Sequence, residues 1–129
     1  MSPQLSEFSI YTIAHRDKLA AAATRNGMSS FTENSRWTTG ERLWKAARAA
    51  GVDMPVVLGD AADCSSLLYW GVLRDIALQD RKTTYAVEAI RPIRKGHSPQ
   101  ELVLRSTGEW IAPGFIRPYA IVQTPSFLR

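Results

Sequence analysis

The chain has 129 residues, a length that suits one domain and lets folding bury roughly two thirds of the surface the unfolded chain exposes. With 45% hydrophobic and 22% charged residues, it lies outside the low-hydrophobicity regime in which chains stay disordered. The single cysteine, Cys64, excludes an internal disulfide and a zinc site of paired cysteines, and the net charge of +4 favours encounter with polyanions. Most of the cations are arginines, whose planar guanidinium can grip a phosphate with two parallel donors or stack on a base. MSPQLSEFSIYTIA has no basic segment followed by a long apolar run, and nothing approaches the roughly 18 apolar residues of a membrane span. A cytoplasmic protein with no membrane contact is expected.

Phe8 to Ala14 (FSIYTIA) is mostly β-branched or aromatic and reads as a first strand. Asp17 to Asn26 (DKLAAAATRN) is made of strong helix formers, with Gly27 placed to cap it. GMSSFTENSRWT shows no clear period and is expected to be a loop. A second helix follows, with Thr38 and Glu41 spaced as a T-x-x-E capping box and Gly51 at its close. On it, Leu43, Ala47 and Ala50 share one face, while Arg42, Lys45 and Arg48 occupy another.

Beyond Gly51 the texture is that of strands: Met54 to Leu58, Leu67 to Leu78, Thr83 to Ile93, Glu101 to Arg105 and Phe115 to Thr124. The connections between them are mostly too short for a crossover helix, so antiparallel pairing and curling into a small barrel are expected. The fold class is therefore α+β: one domain over residues 1–129, an antiparallel β-barrel with two N-terminal helices packed on it.

Met54 to Gly59, a polar loop, and then Leu68, Tyr69, Trp70, Gly71, Val72 and Asp75 give an apolar strand ending in a small residue, followed by a strand leading to an acidic one. In this order of elements the chain resembles the PUA-like superfamily, in particular its ASCH and EVE branches. The resemblance implies a cleft between barrel and helices that holds RNA, a modified nucleobase or a nucleoside-like ligand. Some ASCH-type members resemble small amidohydrolases or nucleases built on lysine, threonine and glutamate. Here NSRWTTGERLWK offers Arg36, Thr38 and Thr39 without a lysine in the matching place, so that activity is not carried over.

Two groups of residues are candidates for ligand contact. Asn34, Ser35, Arg36 and Trp37 bring amide, hydroxyl, guanidinium and indole together ahead of a helix N-terminus, where an anion is favoured and a base can stack. Trp70 and Gly71 form the second, because a glycine inside a strong strand marks a bulge or a close approach; Asp63 and Ser65 in the preceding loop would rim the same cleft. Arg117, in a strand-like run with Pro118, can face a phosphate or guard an exposed edge. No P-loop, G-x-G-x-x-G or H-E-x-x-H occurs, and neither His15 nor His97 has a ligand at metal-binding spacing, so neither metal nor cofactor is expected and no catalytic residue is assigned. Three readings follow: a nucleic-acid or nucleobase binding module, a small hydrolase using Thr38 or Thr39 with an acid such as Glu88, and a protein-interaction accessory protein.

Overall fold

A computed structural model describes residues 4–25, 27–62, 66–94, 96–112 and 119–128. Its elements are, in order, β1 (Phe8–Ala14), α1 (Arg16–Thr24), β2 (Met28–Glu33), α2 (Thr38–Ala49), β3 (Pro55–Asp60), β4 (Leu67–Gln79), β5 (Lys82–Pro92) and β6 (Tyr119–Gln123), with a 3₁₀ turn at Pro99–Glu101. All strands belong to one sheet in the order β2-β5-β4-β3-β1-β6. The α+β class is thus present, with a mixed sheet in place of an antiparallel one. β1 and β3 run parallel because α1, β2 and α2 intervene in sequence and return the chain to the same end; the other four pairings are antiparallel.

The sheet is open among the described residues, with β2 and β6 at its two margins, and the closed barrel expected from the strand run is not formed. It is nevertheless strongly curled. β5 and β6 are four strand spacings apart, roughly 19 Å in a flat sheet, yet Tyr85 of β5 and Tyr119 of β6 both centre their rings within 4.6 Å of the same indole, Trp37. The helices fill the concave side of this curl. Ile10, Val56, Leu58, Leu73 and Val87 form one core there with Leu19 of α1, Trp44 and Ala47 of α2, and Trp37. On the other face, Tyr11, Val57, Trp70 and Val72 form a second core with Leu102, Ile111 and Leu128 of the C-terminal segment. Alternation along β3 sends Val56 and Leu58 to one core and Val57 to the other, which is why the whole of this central strand is buried.

Several local expectations change. The stretch after Gly27 is not all loop, because Met28–Glu33 is a margin strand paired with β5. Its inward residues are Ser29 and Phe31, and the polar member of that pair hides the period of two. Gly27 does not cap α1: Arg25 does so in extended conformation, donating its N–H to Ala22, while Gly27 turns the chain toward β2 at φ +140°. Nor does Thr38 make a capping box. Trp37 is the N-cap, and the first-turn donor of Gly40 is satisfied by the Tyr119 hydroxyl at 2.8 Å. The strand expected at Glu101 to Arg105 is replaced by the 3₁₀ turn and by single bridges from Val103 to Trp110 and from Leu104 to Val122. Glu101 starts that turn by accepting the Ser98 N–H.

Gly71 does sit at a bulge. The β4–β5 register slips between Trp70 and Val72, so Ala89 and Ile90 together oppose Gly71, and Ala89 takes a left-handed φ of +57°. A side chain at Gly71 would meet Val87 Cγ1 at 2.5 Å and the Glu88 carbonyl at 2.9 Å. The close approach is to the neighbouring strand.

Candidate functional site

The two residue groups singled out in the sequence lie at different places. β2 ends at Glu33, opposite Thr83 at the start of β5, so Asn34 to Trp37 occupy the end of the sheet that carries the β4–β5 hairpin. Arg36 ties this segment to the hairpin by donating Nη1–H to the Asp80 carbonyl at 3.0 Å. Asn34 and Arg36 are exposed and Ser35 is half-buried, but Trp37 is fully buried (0% exposed). Its ring packs on Tyr85 and Tyr119, its backbone N–H bonds Thr83 Oγ1 at 3.0 Å, and its Nε1–H bonds Ser35 Oγ at 3.0 Å. Every polar atom of this residue that seeks a donor or acceptor has one nearby, and its faces are occupied by protein. Trp37 is a core residue in this arrangement and presents no face for a base.

Trp70 belongs to the opposite core, and Gly71 beside it is buried with its open side toward Val87 and Ile90 of the first core. The Arg91 guanidinium covers the Trp70 ring at 4.2 Å and is anchored by its Nε–H to the Ala89 carbonyl, so the bulge at Gly71 aims this arginine. Asp63, Ser65 and Arg117 lie outside the described residues, as does Cys64. Thr38 and Glu88 are not brought together: Thr38 opens α2, while Glu88 faces Met28 across the β2–β5 pair and is bound by Arg74 at 3.4 Å.

What the structure assembles is a cleft at the other end of the sheet, where β1, β3 and β5 finish and β4 begins. It encloses about 610 Å³ and is lined by Leu67, Leu68 and Tyr69 of β4, Pro92 and Ile93, the Gly96–Ser98 loop, Ser66 and Arg16. This volume is within the range of small-molecule sites. Antiparallel pairing dictates the grouping: Tyr69 faces Pro92, and the Ile93 N–H donates to the Leu68 carbonyl, so the end of β5 is laid beside the start of β4. The Leu67 N–H donates to the His97 carbonyl at 3.1 Å, which fixes the loop across the mouth. Pro92, Ile93 and His97 also line a second cavity of about 410 Å³, which continues to Trp70, Arg94 and Phe127.

Two hydrogen-bonded pairs, each with a carboxylate, border the cleft. Asp60, at the end of β3 and 3% exposed, accepts from Arg16, the first residue of α1, which is well exposed. His97 Nδ1 lies 2.9 Å from Glu101 Oε1, while Glu101 Oε2 accepts the Ser98 N–H at 2.6 Å, and the imidazole stacks on Phe127 with centroids 3.9 Å apart. The hydrogen bond from His97, and after it the one from the Ser98 backbone, hold the Glu101 carboxyl below its ordinary range. An ionised carboxylate only accepts, so Nδ1 carries a proton toward Glu101 and the neutral ring keeps its lone pair at Nε2. His97 does have a carboxylate at metal-binding spacing, against the expectation from sequence, since Glu101 stands four positions on. The usable signal was H-S-P-Q-E, a Ser-Pro turn start whose third helical residue is an acid four positions after a histidine.

Among the described residues no group of three or more His, Cys, Asp or Glu could hold a metal ion, and no helix is long and apolar enough to cross a membrane. The chain matches no family model, and neither the curated proteins nor the solved structures contain a match to it.

Proposed function

We propose that the chain is a binding module of PUA-like architecture whose cleft, at the end of the sheet away from the β4–β5 hairpin, takes a nucleobase-like ligand, free or within a nucleic acid. The observation that carries this reading is the lining of the 610 Å³ cleft: an apolar floor from Leu67, Leu68, Pro92 and Ile93, the aromatic rings of Tyr69 and His97, and hydroxyl and guanidinium groups at the rim. A flat heterocycle is held by apolar contact and ring stacking, with its edge atoms bonded to a few polar groups, and this combination is the one such ligands use. The curl of the sheet around Trp37 agrees with a barrel-like relative, and the arginine-rich charge of +4 with an anionic partner. The site differs from the one first inferred: it lies around Tyr69 and His97 and leaves Asn34 to Trp37 aside.

Titration with nucleosides, nucleotides and short RNA and DNA, followed by tryptophan fluorescence and calorimetry, tests this. Saturable binding is expected for at least one class, weakened by Tyr69→Ala and, for oligonucleotides, by added salt. Absence of binding across the panel, or oligonucleotide binding indifferent to salt and to Tyr69→Ala, contradicts it.

A hydrolytic variant of the same reading is favoured by one observation, the His97–Glu101 pair at the mouth. A carboxylate that fixes the Nδ1 proton leaves Nε2 to take a proton from water, the arrangement of a general base. Product release from ligands that bind, lost in His97→Gln even at saturating ligand, supports it; intact ligand after prolonged incubation removes it.

A further inference from the structure

The pair at the rim of the cleft carries more than charge balance. Arg16 donates Nε–H to Asp60 Oδ2 at 3.1 Å and holds Nη2 3.0 Å from the same oxygen, while Oδ1 accepts the Ala62 N–H at 2.9 Å. Both oxygens of this buried carboxylate are therefore engaged, and it has no call on the rest of the guanidinium. A guanidinium has five N–H donors in a planar fork. With one edge committed to Asp60, the edge formed by Nη1 and the second Nη2 hydrogen has no further partner among the described residues and is held in a fixed plane. Arg16 is 60% exposed along its side chain while Asp60 is 4% exposed, so the arginine stands at the surface on a buried anchor. It lines the same cleft as the hydroxyl-bearing Ser66 and Ser98.

An arginine that only neutralised a buried aspartate would have no need to border the cleft. An arginine that binds an oxyanion gains from such an anchor, since a long side chain already held in one rotamer loses less entropy when the ligand arrives. The spare edge matches two oxygens of a phosphate group. Resting on the nucleobase reading above, we infer that the Arg16 end of the cleft is a phosphate subsite, with Arg16 the contacting residue and Asp60 the positioning residue behind it. The ligand class narrows accordingly to nucleoside phosphates, either free mononucleotides or the phosphorylated end of a chain.

The test compares each nucleoside with its 5′-monophosphate, adds short oligonucleotides with 5′-hydroxyl and 5′-phosphate ends, and includes inorganic phosphate. The 5′-phosphate is expected to tighten binding roughly tenfold or more, and whether mononucleotide or oligonucleotide gains more distinguishes the two sources. Arg16→Ala and Arg16→Lys should remove most of that gain, the lysine because it keeps charge without the fork. Asp60→Asn should reduce the 5′-phosphate gain by more than it changes nucleoside affinity, a split that a purely structural role would not produce; thermal melts of all three variants confirm folding. Equal affinity for nucleoside and monophosphate, or a gain that survives Arg16→Lys and Asp60→Asn in folded protein, overturns the subsite. Binding of inorganic phosphate that depends on Arg16, with no nucleoside or nucleotide binding, upholds the subsite and overturns the nucleobase reading instead.

Discussion

Trp37 and Trp70 look alike in sequence, each an indole beside polar or glycine-rich residues, and the fold gives them opposite surroundings. Trp37 is the centre of the concave core, where strands from the two halves of the sheet bring Tyr85 and Tyr119 onto its ring. Trp70 lies on the other face under Arg91, and its cavity shares Pro92, Ile93 and His97 with the cleft at the end of the sheet away from the β4–β5 hairpin. One end of the molecule is closed by aromatic packing and short polar bonds. The other keeps volume and presents charge. The difference shows that an aromatic residue among Asn, Ser and Arg marks a ligand face only when no distant strand supplies its stacking partners.

Removing the closed centre should cost most. Trp37→Ala deletes a fully buried ring and leaves Tyr85 and Tyr119 facing a cavity, for a loss of about 4 kcal/mol. Urea unfolding reads this; an unchanged midpoint would place Trp37 outside the core. Tyr69→Ala, at the open end, should change stability far less while weakening ligand.

Next comes the bulge beside Trp70. Gly71→Ala forces a methyl group against Val87 and the Glu88 carbonyl and is expected to cost about 2 kcal/mol, because backbone on one side cannot move aside cheaply. It should also shift Trp70 emission, since the bulge aims Arg91 at that ring. A neutral melt with unaltered fluorescence would contradict the bulge.

A smaller loss, about 1 kcal/mol, is expected from Tyr119→Phe, which keeps the stack on Trp37 and deletes the acceptor of the Gly40 N–H. Burial pushes the Tyr119 hydroxyl above its ordinary range, so the neutral phenol is the form that stabilises the fold. That contribution is present below the ordinary phenol pKa of about 10 and declines as pH rises through the raised value. Alkaline unfolding should therefore begin later in Tyr119→Phe, relative to its own neutral-pH stability, than in the parent; superimposable profiles would sink the assignment.

The smallest effect belongs to the open end. The Glu101 carboxyl, held low first by His97 and then by the Ser98 N–H, stabilises its loop above the ordinary carboxylate range and ceases to do so as pH falls through its lowered value. Carbon-detected NMR should show Glu101 titrating below the ordinary carboxylate range, and His97→Gln should bring it back toward that range.

Much of the architecture was legible from pattern. Helix formers before Gly51 and β-rich runs after it place α2 and the strands β3, β4 and β5 close to where they form. Gly71 announces its bulge, because only a missing Cβ lets β5 come so near. β2 was not legible, since Ser29 occupies an inward position and breaks the apolar alternation. The burial of Trp37 was equally hidden. Its neighbours in sequence are polar, and its partners, Tyr85 and Tyr119, arrive from strands 48 and 82 residues further along, which no local window contains. The cleft was not legible: Asp63 and Ser65, read as a rim, lie outside the described residues, and Arg16 comes alongside Ser66 through the parallel β1–β3 pair, a matter of topology.

Backbone amide mapping during titration with a nucleoside monophosphate tests the central contrast most directly. Progressive shifts are expected at Arg16, Ser66, Tyr69, His97 and Ser98, with Ser35, Arg36 and Trp37 unmoved. Shifts centred on Ser35 to Trp37, with Arg16, Ser66, Tyr69, His97 and Ser98 silent, would contradict the account.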